Sequence, residues 1–540
     1  MQEKSFRLQN TKVGPVPIIR KFLADIGLND LLLEALDHEG AACAIETLTI
    51  SLLLKPNALY RVGQWAQNFD DEFLAKTIND DALSRALDRL FKTDRASLLT
   101  KLVVTMIKKY NISTDQIHND STSVKFSGAY SEQNPKAVQL KHGHSKDHRP
   151  DLKQLVYSLS VTRDGAIPIH FKAYDGNRTD DTTHWEIWQS LRGLLGRSDF
   201  LYVADSKLCV SETMKNIDRE QGHFVTIVPK TRLEISEFSE KALASQVRWK
   251  PLWQQRSTRK RKIDHFEVAE GLFQLREGYR VYWYRSSEKK IRDSQNREDR
   301  IIEARQHLLT LNESTRRGPK SEAALMKAAE KILTRYGARD WLSVTVHATE
   351  VEKFRQTRRG KSTQSSLFKR TLHKAYSIVV SNNIEAVALS QAMDGIFPLT
   401  TNKDIPALDV LKAYKFQPHL EKRHSLFKTV LEVAPVFLKK NDRIEALIFV
   451  YFIAQFVAAL IERKLRAAMA DKNIATLPIL PEGRPTKTPT ATSVFEQFEN
   501  RSRHYLYSHE DRLVQVFADP LSKVQVELLK LLEVSPTAYA

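Results

Sequence analysis

At Asn111 the spacing of apolar residues changes from every third or fourth position to strand-like alternation and short continuous runs. Such a switch divides the chain into a helical block and a sheet-forming block. Gln116–Phe126 is predicted as a strand ending in a polar cluster, with Asp120 near its end. Gln154–Thr162 and Ala166–Tyr174 flank Arg163-Asp164-Gly165, and Asp-Gly is a hairpin turn signal. A helix over Thr182–Leu195 leads to a buried strand, Phe200–Asp205, and a helix over Ser211–Arg219 leads to the apolar run His223–Val228.

Upstream, helices are predicted at Pro17–Asp25, Asn29–Leu36, Ala41–Leu54 and Asp80–Phe91. The last has Asn79 as its N-cap and an apolar stripe at Leu83, Ala86, Leu87 and Leu90. Downstream, residues 233 to 372 mix strand-like runs, Tyr279–Tyr284 and Trp341–His347, with charged helical segments at Glu298–Leu311 and Ser321–Tyr336. The core resumes with Tyr376–Val380, Phe397–Asn402 and helices between Ile405 and Ala470. A Pro-rich stretch, Leu477–Pro489, links to a last helical region that includes Leu521–Leu532.

The order strand, hairpin, helix, strand, helix, strand matches a mixed sheet of the ribonuclease H type. The expected class is therefore α/β, with five parts. Residues 1–110 form a helical N-terminal module, 111–232 and 373–470 the two parts of the core, 233–372 an inserted basic α+β domain, and 471–540 a linker and C-terminal helical region.

A length of 540 residues, with 42% hydrophobic and 27% charged, suffices for several such units. The net charge of +18 implies a polyanionic partner, nucleic acid or an acidic membrane surface. Residues 241 to 370 hold 31 basic and 15 acidic side chains, a net of +16, so one segment carries nearly all the excess. The two cysteines, Cys43 and Cys209, suggest neither a disulfide framework nor a zinc site. The first residues lack the apolar core of a signal peptide, and an intracellular protein is expected. Ala446–Ile461 is apolar but short for a membrane span, contains Gln455 and is flanked by charges, which predicts a buried core helix.

Asp120 and Asp205 fall at neighbouring strand ends, where carboxylates can share divalent metal. A third carboxylate comes from Tyr414-Lys-Phe-Gln417-Pro418-His-Leu-Glu421-Lys-Arg-His-Ser-Leu-Phe-Lys428. Pro418 suits the first turn of a helix that starts near Gln417, so Glu421, Ser425 and Lys428 line one face. A carboxylate for metal beside a lysine for phosphate points to phosphodiester chemistry on DNA.

The spacing Tyr414-x2-Gln417-x3-Glu421-x6-Lys428 resembles the Y-x2-R-x3-E-x6-K signature of cut-and-paste insertion-sequence transposases with a DDE triad. Asp120, Asp205 and Glu421 would be the triad. Four further blocks resemble the same family: Asn79–Leu90, Gly143–Gln154, Gly176–Asp180 and Asp394–Asn402. Gln417 departs from the signature's arginine, and glutamine lacks its charge and bidentate phosphate binding.

The resemblance implies Mg²⁺, with Mn²⁺ as a substitute, held by Asp120, Asp205 and Glu421. It implies nicking at transposon-end inverted repeats, hairpin formation in the better-studied members, release, and strand transfer into target DNA. It also implies a homodimer on double-stranded DNA in a prokaryotic cytoplasm. Membrane association is not expected.

Phosphate contacts are expected from Tyr414, Gln417 and Lys428, from Lys141, Lys146 and Arg149, and from the run Arg259, Lys260, Arg261 and Lys262. His142, His144 and His148 stand among these cations, which favours a DNA-contacting or solvated loop over a metal site. Trp249, Trp253 and Trp283 either pack a core or stack on a displaced base. The N-terminal module reads either as a reader of DNA ends or as a scaffold. Two alternatives share these features: a structure-selective nuclease without strand transfer, and a catalytically inactive DNA-binding protein derived from a transposase.

Overall fold

The computed structural model describes the chain apart from residues 1–5, 55–56, 72–73, 75–78, 132, 144–150, 179–182, 257–261, 314–320, 363, 365 and 432–437, and only the backbone of 426–431. Contacts divide it into two units, Met1–Thr226 with Leu411–Ala540, and Ile227–Val410.

The first unit is built on a mixed sheet of β1 (Gln116–Phe126), β2 (Lys153–Thr162), β3 (Pro168–Asp175), β4 (Leu201–Ala204) and β5 (His223–Ile227). Their order across the sheet is β3-β2-β1-β4-β5. The β1–β2 and β2–β3 pairs are antiparallel, whereas β4 runs parallel to both β1 and β5. Gly165 takes φ +80° in the β2–β3 turn, a conformation that costs glycine little. Asp164 in the same turn accepts from Arg463 Nε at 2.8 Å and Nη2 at 2.7 Å, and from the Ser113 amide at 3.1 Å.

Helices cover this sheet. The helix Asn441–Asp471 contains the apolar run anticipated as a core element, and by length and composition alone it could cross a membrane. In the folded chain 94% of its most apolar window is buried. Phe449 meets Phe171 of β3 edge-on and Phe452 meets it tilted, at 5.9 and 4.9 Å between ring centres. The helices Glu39–Leu54 and Asp80–Lys92 pack on Asn441–Asp471 and on each other; the latter buries its stripe Leu83, Ala86, Leu87 and Leu90, with Asn79 accepting from the Ala82 amide as N-cap.

The chain termini depart from the helical expectation. Arg7–Lys12 pairs with Ser502–Tyr507, which pairs with Leu513–Ala518, in an antiparallel three-stranded sheet. The runs Tyr505-Leu-Tyr and Val514-Gln-Val-Phe are aromatic and β-branched, a strand signal that the nearby Leu521–Leu532 pattern overshadowed.

In the second unit Ile396–Thr401, Arg280–Ser286, Ile263–Ala269 and Trp249–Arg256 pair in that order, all antiparallel. Trp283 is buried face to face with Phe238, 3.6 Å between centres, and Trp253 stacks on Phe266 at 5.3 Å. Trp249 meets Phe238 edge-on at 6.4 Å; of the three tryptophans Trp283 is buried, whereas Trp249 and Trp253 are half-buried. The charged helix is longer than anticipated, Ser287–Thr310, because Ser286 caps it by accepting from the Lys289 amide.

Tyr376–Val380 corrects the expected resumption of the core. It lies in the strand Phe368–Asn382, which pairs only with Leu342–Gln356 among the described residues. Leu342 and Ile378 are buried with Ala304 and Leu308 of one helix and with Leu325, Ala329 and Leu333 of Glu322–Tyr336. Burial on those helices, a long-range effect, fixes the strand in the second unit.

Candidate active site

Register brings the two aspartates together. Across the parallel β1–β4 pair, Gln116 faces Leu201, Ile117 faces Tyr202 and His118 faces Val203. The paired stretch ends there; continued two steps past it, the register would bring Asp120 level with Asp205, just beyond the end of β4. Asp120 is not at the end of its strand as expected: β2 pairs with β1 as far as Phe126. It sits instead beside the point where β4 stops, after Ala204, which opens the sheet surface next to it.

Local hydrogen bonds orient both carboxylates. Asp120 Oδ1 accepts from the Ser121 amide at 2.8 Å. Asp205 caps the single turn Ser206–Leu208, its Oδ1 accepting from the Lys207 amide at 3.0 Å. Two buried histidines stand behind them. His184 Nε2 lies 3.6 Å from Asp205 Oδ1, and His424 Nε2 lies 3.9 Å from Asp120 Oδ2. His184 is oriented by the Tyr202 hydroxyl, 3.1 Å from its Nδ1.

Glu421 projects, exposed, from the helix Gln417–Leu431, which starts at the residue anticipated from Pro418. Buried Leu420 and Arg423 hold this helix down. Arg423 donates to the Ala166 carbonyl at 3.1 Å and to Glu462 at 2.8 Å, and Gln455 donates to the Arg423 carbonyl at 3.1 Å. Arg423 is thus committed to Glu462 rather than to Glu421. Lys428 belongs to the same helix, but its side chain lies outside the described residues.

Tyr414 ties the three acids to one locale. Its phenol is pushed up to about 12, first by burial and then by the negative charges of Asp205, Asp120 and Glu421. It therefore stays protonated as a hydrogen-bond donor at neutral pH. Burial, and then Tyr174, Asp205 and Asp120, likewise hold the Tyr202 phenol protonated.

Gln417 faces the sheet. Arg163 Nη1 donates to Gln116 Oε1 at 3.0 Å, and Gln116 Nε2 lies 2.7 Å from His118 Nε2. His118 Nδ1 is 3.1 Å from Gln417 Oε1, and Gln417 Nε2 donates to the Asn119 carbonyl at 3.5 Å. One proton assignment satisfies the chain: His118 donates from Nδ1 and accepts at Nε2. Burial lowers the His118 pKa to about 3, which keeps that neutral form.

Of the other anticipated phosphate contacts, Lys141 is exposed and pairs with Asp175 at 2.7 Å, and Lys262 is exposed. Lys146, Arg149, Arg259, Lys260 and Arg261, with His144 and His148, lie outside the described residues. Two of the sequence blocks meet: a Cβ on Gly143 would fall 2.0 Å from the Gly176 carbonyl oxygen, and Gln154 Nε2 donates to that oxygen at 2.8 Å. Asp394, from another block, is buried against Arg297.

His184, Tyr202 and His424 were missed from sequence. His424 had a signal, three residues beyond Glu421 on the same helix face, whereas His184 had none.

Among the described residues no group of three or more His, Cys, Asp or Glu side chains is gathered to hold one ion. The donors near Tyr414 are carboxylates, which suits a hard cation such as Mg²⁺. That ion takes one or two protein carboxylates and completes its shell with water and phosphate.

No family model matches the chain, and no curated protein matches it. Among solved structures it is similar to the piggyBac transposase of a cryo-EM synaptic complex with hairpin DNA, at 11% identity and a TM-score of 0.28. The match covers 52% of this chain and 63% of that one, so the chain spans less than two thirds of that protein. So loose an overlap carries no functional argument.

Proposed function

We propose that the chain is a DNA transposase that cuts at transposon ends and joins them to target DNA, with Asp120, Asp205 and Glu421 as its catalytic carboxylates. What supports this reading is the β1–β4 register, which if continued past its last pair brings Asp120 level with Asp205, together with the charge of Glu421, which acts with theirs on the Tyr414 phenol. The strand order β3-β2-β1-β4-β5, with β2 antiparallel, supports a ribonuclease H-like core.

Asp120, Asp205 and Glu421 would hold Mg²⁺, or Mn²⁺ in its place. When bound, the metal supplies activation of the attacking water or 3′-hydroxyl and stabilises the leaving oxygen. The backbone amides of Ser121 and Lys207 fix the carboxylates for this role, and His184 and His424 back them from the buried side. The protonated Tyr414 phenol donates to a phosphate oxygen. The active form on DNA is a homodimer, working in the prokaryotic cytoplasm.

The test uses duplexes carrying the inverted repeats that flank the gene, a target plasmid and Mg²⁺. Cleavage at the repeat boundary and joined product are expected. Asp205→Asn should lower both by about 10²-fold or more while leaving end binding intact. Cutting without joining would identify a structure-selective nuclease, and binding without cutting an inactive derivative.

A further inference from the structure

The strands Leu342–Gln356 and Phe368–Asn382 form a ribbon fifteen residues long on each side. Only its root is covered: Leu342 and Ile378 are buried, whereas residues 347 to 355 and 372 to 375 are exposed. A ribbon exposed on both faces gains nothing for the core, so its tip is available for another molecule.

Register divides the charges of the tip between two faces. Side chains alternate along a strand. The face continuous with buried Leu342 and Ile378 carries Glu350 opposite Lys374, Glu352 opposite Leu372, and Phe354 opposite Arg370. Its acids balance its bases, and Glu352 is ion-paired with Arg370. The other face carries Val351 opposite His373, Lys353 opposite Thr371, and Arg355 opposite Lys369. It holds three fixed positive charges and no acid. Arg358, Arg359 and Lys361, all exposed, extend the charge around the tip.

We propose that this ribbon enters the major groove of duplex DNA with the face of Lys353, Arg355 and Lys369 toward the bases and phosphates. A two-stranded ribbon fits a groove about 12 Å wide. The tip, nine residues from His347 to Arg355, spans about 30 Å at the usual rise per residue, close to one turn of the double helix. Arginine and lysine suit guanine edges, and Thr349 and Thr371 on the same face supply further hydrogen-bonding groups. The uncompensated sign of this face favours DNA over a second copy of a chain that is itself basic. The proposal rests on the reading of the chain as a DNA-acting protein, and names the element and groove by which it would grip the duplex.

The experiment compares wild type with the triple variant Lys353→Gln, Arg355→Gln, Lys369→Gln, using full-length protein and a GC-containing duplex. The variant should lose affinity, with a log–log salt dependence shallower by about 2.7, three contacts at about 0.9 each. Wild type should also protect guanine N7 from methylation, and the variant should not. The triple variant Phe354→Thr, Phe368→Thr, Leu372→Thr on the opposite face should keep the wild-type slope. An unchanged slope in the glutamine variant overturns the ribbon proposal alone. A shallower slope in the glutamine variant with no protection of guanine N7 by wild type overturns the groove placement. A change confined to the threonine variant, with loss of dimer in sedimentation, would assign the ribbon to self-association instead. Failure of wild type to bind duplex DNA at all would overturn the functional reading itself.

Discussion

Gln417 Oε1 and His118 Nδ1 lie 3.1 Å apart across the seam between the helix of Glu421 and the strand of Asp120. The position where the signature has arginine is therefore part of the fastening that holds the helix of Glu421 against the strand of Asp120. Gln417→Ala removes the acceptor of a buried donor and should cost about 1 to 3 kcal/mol of stability, read from denaturant midpoints. Gln417→Arg should also destabilise, since it sets a cation beside a donor. Tighter end binding by Gln417→Arg with unchanged stability would refute this placement.

Acid should weaken the fold through buried histidines. His118 is lowered to about 3 and His170 to about 4 from 6.5, both chiefly by burial. Between pH 6.5 and 4 the unfolded chain binds more protons at these positions, so stability is full above 6.5 and falls as pH drops. Each contributes a slope approaching about 1.4 kcal/mol per pH unit. In urea melts at pH 7.5, 6 and 5, His118→Gln should have a shallower pH dependence than wild type. Parallel curves would show that His118 titrates normally.

The phenol of Tyr414 reports on the carboxylates without any need for turnover. Its pKa of about 12 is due in part to Asp205, Asp120 and Glu421. Mg²⁺ on those acids should perturb the phenol, a change visible at pH 7.5 as an ultraviolet difference spectrum when Mg²⁺ is titrated into wild type but not into Tyr414→Phe. A titration insensitive to Mg²⁺ would mean that the ion binds elsewhere.

Arg297 and Asp394 form a buried bidentate pair, with contacts of 2.6 and 2.8 Å. Arg297→Met strands a carboxylate in the interior and should cost about 3 to 5 kcal/mol. Adding Asp394→Leu should recover much of that loss. A single variant as stable as wild type would show that the pair opens to water.

Gly176 is packed too closely for any side chain, because its Cβ would lie 1.9 Å from the Gln154 carbonyl oxygen. Gly176→Ala should part Lys141 from Gln154, whose backbone groups exchange hydrogen bonds at 3.2 and 2.9 Å. Faster amide exchange at these two residues is the readout, and unchanged protection would contradict the packing.

Much of this protein was legible in its sequence. Periodicity located β1 to β5, the Asp164-Gly165 turn and the buried helix of Ala446–Ile461, because alternation, turn chemistry and helical stripes are local properties. Spacing also predicted that the helix of Glu421 starts at Gln417, as it does. What no local pattern could supply was the partner of each element. The strand holding Tyr376–Val380 went to the second unit because Ile378 is buried among helical residues 45 to 74 positions upstream. The terminal strands found each other across some 490 residues. The same limit applied at the site: Gln417 carried the mark of a phosphate ligand, and only the packing of its helix on β1 turned its amide toward His118, a neighbour 299 positions away. Residue type and spacing are written along the chain, whereas burial and hydrogen-bond partners follow from contacts that exist only once distant segments have met.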